Sequence, residues 1–192
     1  NYSTRANYRT MKKKIIASIL LVLIIVFFIV KTPISLSYND KGLVNYRLEK
    51  YELAAGDFKM ALLWKRHNSA ASINLLKTYI VLNDSLLAWK LLDKLQKSIP
   101  NTAETSALHG QLLIKSKKYD LALSELSHAL QIDSSLAYAY YYRGIAKAEL
   151  GDLAGAATDY IKAQELDKAN TKALMESVVV LSKLEDYRQA IE

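Results

Sequence analysis

The sequence predicts an all-α protein, in which one N-terminal hydrophobic helix precedes a right-handed α-solenoid of antiparallel helix pairs. Two observations lead to this prediction: an unbroken apolar run near the N-terminus, and small residues that recur at an offset of 34 residues along the rest of the chain. The composition agrees, because 51% hydrophobic and 23% charged residues are typical of a globular protein. No strand is predicted.

The net charge of +7 belongs almost entirely to the N-terminal segment. Residues 1–34 contain six of the 26 Lys and Arg residues and no acid, which leaves 20 basic and 19 acidic residues beyond them. A nucleic-acid-binding domain needs its cations on the folded surface, so this balance argues against nucleic acid as a partner. Cysteine is absent, which excludes disulfides, thiolate nucleophiles and cysteine-ligated zinc.

The first segments of the chain are a leader and a hydrophobic stretch. Residues 1–10 precede Met11, show no apolar pattern, and are set aside as a non-native or disordered leader. Residues 11–34 form the predicted signal-anchor, whose run of 16 apolar or small residues, Ile15–Val30, directly follows three lysines.

Two interpretations of this segment stay open. A helix of 16 residues covers about 24 Å, slightly less than the hydrocarbon core of about 30 Å, although flanking lysines could extend it as a transmembrane anchor. The small residues of Ser35-Leu36-Ser37 are instead compatible with a cleaved signal peptide. The cationic flank predicts a single-pass protein of the cytoplasmic (inner) membrane, with its N-terminus inside and its repeats outside. Cleavage would give a secreted or periplasmic protein.

Small residues define the repeat in residues 35–192. At an offset of 34 residues one column consists only of alanine, and a second contains three glycines. The alanines are Ala54, Ala88, Ala122, Ala156 and Ala190, and the glycines are Gly42, Gly110 and Gly144. Large side chains at these positions would keep paired helices from approaching to about 8–10 Å, so the columns mark helix crossings.

Further columns complete the pattern. Phe58 and Tyr160 stand at position 24 of the repeat, and Pro100 stands at position 32. With small residues at positions 8, 20 and 27, residues 35–192 resemble the tetratricopeptide repeat. The repeats lie near 35–68, 69–102, 103–136, 137–170 and 171–192.

The repeat predicts where each helix begins and ends. First helices are expected near 36–48, 69–82, 103–115, 137–149 and 171–183, and second helices near 51–65, 85–98, 119–131 and 153–166. The fifth repeat is truncated at Glu192, which would leave Leu174, Val178 and Leu181 only partly covered. We therefore expect the natural chain to continue.

The resemblance also implies where a partner would bind. In this family the first helices line a concave groove, and six of their positions point into it. Here those positions hold Asn74, Lys77, Gln111, Lys115, Tyr138, Tyr141, Tyr142, Ile145 and Lys172. The tyrosines are the leading candidates for contacts with a peptide or helix, because each offers a rigid apolar face with a polar tip. The alternative is that they only pack, as is common for tyrosine at the position of Tyr141.

Other functions find little support in the residues. No three consecutive repeats carry the Lys, Arg and Asn pattern with which one subset of the family binds chaperone carboxylates. The histidines His67, His109 and His128 lack metal-ligand spacing, and no catalytic motif is present, so neither an enzyme nor a cofactor or metal is expected. The sequence favours a membrane-anchored or exported scaffold for a protein partner. A self-associating component of a cell-envelope assembly, or the regulatory arm of a longer chain, are the alternatives.

Overall fold

A computed structural model describes residues 2–98 and 102–191, which form nine α-helices joined by short turns. The helices are α1 Tyr2–Arg47, α2 Tyr51–Trp64, α3 Ser69–Val81, α4 Ser85–Ser98, α5 Ala103–Lys115, α6 Tyr119–Ile132, α7 Ala137–Glu149, α8 Leu153–Leu166 and α9 Thr171–Ile191. The all-α fold class of helix pairs is thereby confirmed, and α2 to α8 agree with the predicted bounds to within one residue. Pro100, predicted at position 32, lies outside the described residues.

Two helices are longer than predicted. The hydrophobic segment 11–34 and the first repeat helix 36–48 form one helix, α1, which also includes residues 2–10 and continues through Pro33. A proline inside a helix removes one backbone hydrogen bond and crowds the preceding turn, so local sequence does not favour this continuation. Hydrogen bonds of Ser35 to Ala61 and Asn68, and of Asn39 to Asn74, hold the residues after Pro33 in place. Helix α9 likewise continues to Ile191 beyond the predicted end at 183, because Leu184-Glu185 contains no helix-breaking residue.

The contacts divide the chain into two compact units, residues 1–78 and 79–192. In the first unit α2 packs against the C-terminal part of α1. The crossing is tight at Gly42, where an added Cβ would lie 2.5 Å from Phe58. Asp57 of α2 accepts a hydrogen bond of 2.6 Å from Asn45 and pairs with Lys41 at 3.1 Å.

Helix α1 is also the one helix of the described residues that is long and apolar enough to cross a bilayer, judged by length and composition alone. None of the residues in its most apolar stretch is buried by the rest of the protein. A signal sequence would meet the same criteria, so both interpretations of the segment persist.

In the second unit the helices share two apolar clusters. The first joins α5, α6 and α7 around Leu126 and Ala146, and the second joins α8 and α9 around Tyr160 and Val180. The predicted alanine column is confirmed in both units, since Ala54, Ala88, Ala122 and Ala156 are all fully buried. The side chain of Ala190 lies outside the described part of the chain.

The turns within the helix pairs repeat one backbone conformation. A residue with positive φ closes each of α1, α3, α5 and α7, namely Glu49 (59°), Asn83 (58°), Lys117 (57°) and Gly151 (89°). The next residue donates its N–H to a carbonyl five residues earlier, over 2.9–3.0 Å, as in the Schellman motif. These four residues are 34 positions apart, so the repeat extends to the turn backbone.

Candidate functional site

In the first unit, the predicted groove residues are Asn74 and Lys77 of α3. The Asn74 amide donates a hydrogen bond of 3.1 Å to Oδ1 of Asn39, a buried residue of α1. Lys77 is half-buried. The amide of Asn74 therefore holds α3 to α1, and the residue has less capacity for a partner than the sequence implied.

In the second unit, α5 contributes Gln111 and Lys115. The Gln111 amide donates a short hydrogen bond to the hydroxyl of Tyr142 on α7. The exposed Lys115 donates to Oδ1 of Asn83, in the turn before α4, over 3.0 Å. The structure therefore brings the predicted residues of α5 and α7 together.

Tyr138 and Tyr142 pack on the cluster shared by α5, α6 and α7. The Tyr138 hydroxyl is buried without a hydrogen-bond partner among the described residues, and burial raises the pKa of Tyr138 far above its usual value. Tyr142 keeps part of its ring exposed and fixes its hydroxyl on Gln111. Of these two hydroxyls, only that of Tyr142 has a hydrogen-bond partner among the described residues.

Tyr141 and Ile145 pack on the cluster shared by α8 and α9. The Tyr141 ring lies 5.2 Å from that of Tyr142, edge to face, and 5.9 Å from that of Tyr160. Burial, followed by the nearby Glu176 carboxylate, raises the pKa of Tyr141. The Tyr141–Tyr142 pair thus connects the two apolar clusters of the unit and remains partly exposed.

Sequence reasoning missed three residues of α9 that occupy the same repeat positions as groove residues of α7. Met175 and Val179 are 68% and 48% exposed, and Glu176, whose charge acts on Tyr141, lies between them. These three residues, like the predicted and exposed Lys172, stand 34 positions after the groove residues of α7. Applying the 34-residue offset to the groove positions of α7 would have identified them.

A second feature that the sequence did not reveal is an ion pair within the helix pairs. Lys41–Asp57 is repeated as Arg143–Asp159, with the acid 16 residues after the base. At the same positions of the third repeat, His109 Nδ1 lies 3.2 Å from Oε1 of Glu125. The Arg143–Asp159 pair is the strongest, because Arg143 donates to both carboxylate oxygens over 2.7 and 2.8 Å while Lys147 approaches to 2.9 Å. These ion pairs hold the two helices of a helix pair together.

Two of the three histidines, His109 and His128, make local contacts with neighbouring side chains. His109 stacks edge-on against Trp89 with ring centroids 5.6 Å apart, and His128 bonds with Ser106 over 3.2 Å. Throughout the described residues no three His, Cys, Asp or Glu side chains are grouped closely enough to hold a metal ion.

Comparisons with known proteins identify the fold. No family model matches the chain, and no curated protein matches it. Solved tetratricopeptide-repeat (TPR) structures do match. TTC0263, a TPR protein of Thermus thermophilus, is 19% identical, with 78% of this chain and 82% of that chain covered and a TM-score of 0.69.

Two further structures agree. PilF of Pseudomonas aeruginosa is 20% identical over 82% of this chain and 72% of its own, with a TM-score of 0.68. YrrB, described as a TPR protein with an unusual peptide-binding site, is 20% identical over 77% and 76%, with a TM-score of 0.53. The chain therefore has the tetratricopeptide-repeat fold.

Proposed function

We propose that this chain is a membrane-attached scaffold that binds a peptide or helix of a partner protein on its first helices. The observation that carries the proposal is the partly exposed apolar strip of the second unit. It comprises Tyr141, Tyr142 and Ile145 of α7 together with Met175 and Val179 of α9. We call these five residues the groove strip.

The chemistry of the groove strip fits an amphipathic partner. Aromatic rings and a flexible methionine supply apolar contact area, and the Gln111–Tyr142 hydrogen bond fixes one ring in place before binding. Glu176 and the exposed Lys115 and Lys172 also belong to first helices and can pair with charges of a partner. An amphipathic helix with apolar side chains three or four residues apart would match this arrangement.

Membrane attachment is proposed for α1. Every described side chain of its apolar stretch is exposed, which is costly in water and favourable in lipid. Lys12, Lys13 and Lys14 precede the stretch and favour a cytoplasmic N-terminus, which would place the repeats on the opposite side.

Site-specific photocrosslinking in cells that express the protein tests the groove. A benzophenone amino acid at Val179 should yield an adduct of defined mass, and the further substitution Tyr142→Ala should remove it. Ile161 of α8 is the matched control, because it is apolar and similarly exposed (44%) but belongs to a second helix. Identical adducts from both positions would refute groove binding.

Self-association is a second candidate, favoured by the remaining face of α9. Leu174, Val178 and Leu181 are exposed there, as the sequence predicted, and could stack on another copy. Val178→Glu should then convert a detergent-solubilised oligomer to a monomer in analytical ultracentrifugation. A monomeric unsubstituted protein would exclude this candidate.

A further inference from the structure

The C-terminal end of α2 presents an unusual surface within the first unit. Leu63 is 75% exposed, and the adjoining Trp64 packs its ring 6.4 Å from that of Phe27 on α1. The loop that follows begins with Lys65 and Arg66. We call residues 63–66 the α2 tip.

Hydrogen bonds fix the level of the α2 tip along α1. The buried Ser35 hydroxyl donates to the Ala61 carbonyl over 2.7 Å and accepts from the Asn68 amide over 3.0 Å. Phe27 lies eight residues before Ser35, which is about 12 Å along a helix axis. Helix α2 therefore points back toward the N-terminal part of α1, and Trp64 reaches the apolar stretch itself.

The length of the apolar stretch decides where a bilayer would end. A helix needs about 20 residues to cross the hydrocarbon core. The twentieth residue after Lys14 is Ile34, which adjoins Ser35. Tilting the helix would move the boundary further along the chain. Phe27 and the Trp64 ring that packs on it then lie at the lipid interface or deeper in the bilayer.

The charge of this region is complementary to lipid phosphate. The sequence contains no acidic residue between Asp57 and Asp84, whereas Lys65 and Arg66 stand directly at the tip. Tryptophan prefers the membrane interface, and long cationic side chains extend from there to the headgroups. Basic residues near an anionic lipid surface are attracted to it electrostatically.

We propose that the α2 tip is a membrane-contact surface, in which Leu63 and Trp64 enter the lipid interface and Lys65 and Arg66 bind phosphates of anionic phospholipids. It rests on the proposed attachment through α1, and it makes the first repeat part of the membrane-bound region. A water-soluble protein partner at the same surface is the competing occupant.

Fluorescence quenching in proteoliposomes tests the proposal with the full chain. The protein has two tryptophans, so Trp89→Phe leaves Trp64 as the only indole. In phosphatidylcholine vesicles with bromine near the ester end of the acyl chains, Trp64 emission should lose most of its intensity. The Trp64→Phe protein retains Trp89. Its quenching is the reference for an indole elsewhere in the same chain.

Lipid charge tests the cations separately. Adding phosphatidylglycerol should increase the quenching of Trp64, and the double substitution Lys65→Gln and Arg66→Gln should abolish that increase. Equal quenching in neutral and anionic vesicles would overturn the assignment of Lys65 and Arg66.

Flotation of the same vesicles separates this proposal from the one on which it rests. If the chain floats with the lipid but Trp64 is not quenched, the tip faces water and the contact surface is refuted while the attachment stands. If the chain fails to float, the attachment itself is refuted, and the contact surface with it.

Discussion

At the residue scale, the glycine column shows how one missing side chain positions two helices. A Cβ built at Gly144 would lie 2.6 Å from Tyr160, and the same conflict arises between Gly110 and Leu126. In these repeats position 8 therefore has to be small, because the large side chain at position 24 fills the space beside it. The second repeat does without glycine there, and Leu76 is fully buried at its position 8.

Gly144→Ala should destabilise the protein. Overpacking costs about 1–3 kcal/mol and exceeds the gain of about 1 kcal/mol that alanine brings to a helix interior. Urea unfolding in detergent, followed by circular dichroism, should show a lower midpoint. Gly56→Ala is the control, because nothing lies within 4 Å of its Cβ, and it should raise the midpoint. A lower midpoint for both would mean that crowding at Tyr160 is not the cause.

At the turns, in contrast, a substitution to glycine is expected to stabilise the protein. Lys117 adopts a φ of 57°, a left-handed conformation that costs a non-glycine residue about 1–2 kcal/mol. Lys117→Gly should therefore stabilise the protein by about 0.5–1 kcal/mol, after the greater unfolded-state entropy of glycine is subtracted. Thermal unfolding measures the difference.

Lys118 and Gly151 provide the controls for Lys117→Gly. Lys118 has a φ of −94°, so Lys118→Gly should give no gain in stability. Gly151, with a φ of 89°, occupies the same turn position in the fourth repeat, and Gly151→Ala should destabilise. A stabilising effect of glycine at both Lys117 and Lys118 would contradict the explanation by backbone conformation.

At the element scale, the ion pairs decide how strongly each helix pair is held. Asp159 is almost fully buried, and Asp159→Asn would leave Arg143 and Lys147 facing each other, each with its side chain 20% exposed. Loss of a partner from a buried pair costs about 3–5 kcal/mol, and the partial exposure of the cations reduces this to about 2–3 kcal/mol.

A matched substitution on the same helix provides the reference for Asp159→Asn. Glu165 pairs with Lys162 of α8 at 3.0 Å, and both side chains are about half exposed. Glu165→Gln should therefore leave the free energy of unfolding almost unchanged. Urea unfolding of the two variants under identical conditions should separate them clearly. Equal effects would show that burial does not set the strength of the pair.

Helix bounds could be predicted well from the sequence because they depend on local residues. Turns are indicated by the residue types of Gly151-Asp152 and Asn83-Asp84. The side chains of Asp84 and Asp152 also cap the helices that follow. The groove strip could be predicted only in part. The resemblance to the tetratricopeptide repeat implied Tyr141, Tyr142 and Ile145, but the burial of the Tyr138 hydroxyl depends on how α5, α6 and α7 pack.

At the scale of the whole molecule, local sequence predicted a break between the hydrophobic segment and the first repeat helix, whereas the described helix α1 has none. Pro33 and the small residues that follow it resemble the end of a targeting segment. The structure instead continues the helix, because Ser35 and Asn39 already belong to the buried contacts with α2 and α3. Those contacts involve residues 26 to 35 positions away, which no short sequence window includes.

The same contacts predict that the segment is retained. A signal peptidase needs an accessible, extended substrate, whereas Ser35 is fully buried and its hydroxyl bonds to both Ala61 and Asn68. Protein extracted from membranes should therefore keep residues N-terminal to Ser35 when its intact mass is measured. Residues 11–37 fused to an unrelated domain lack the protection of α2, and they show whether the peptidase recognises Ser35-Leu36-Ser37 at all. Cleavage of both proteins after Ser37 would mean that processing precedes folding and that the repeats are released from α1.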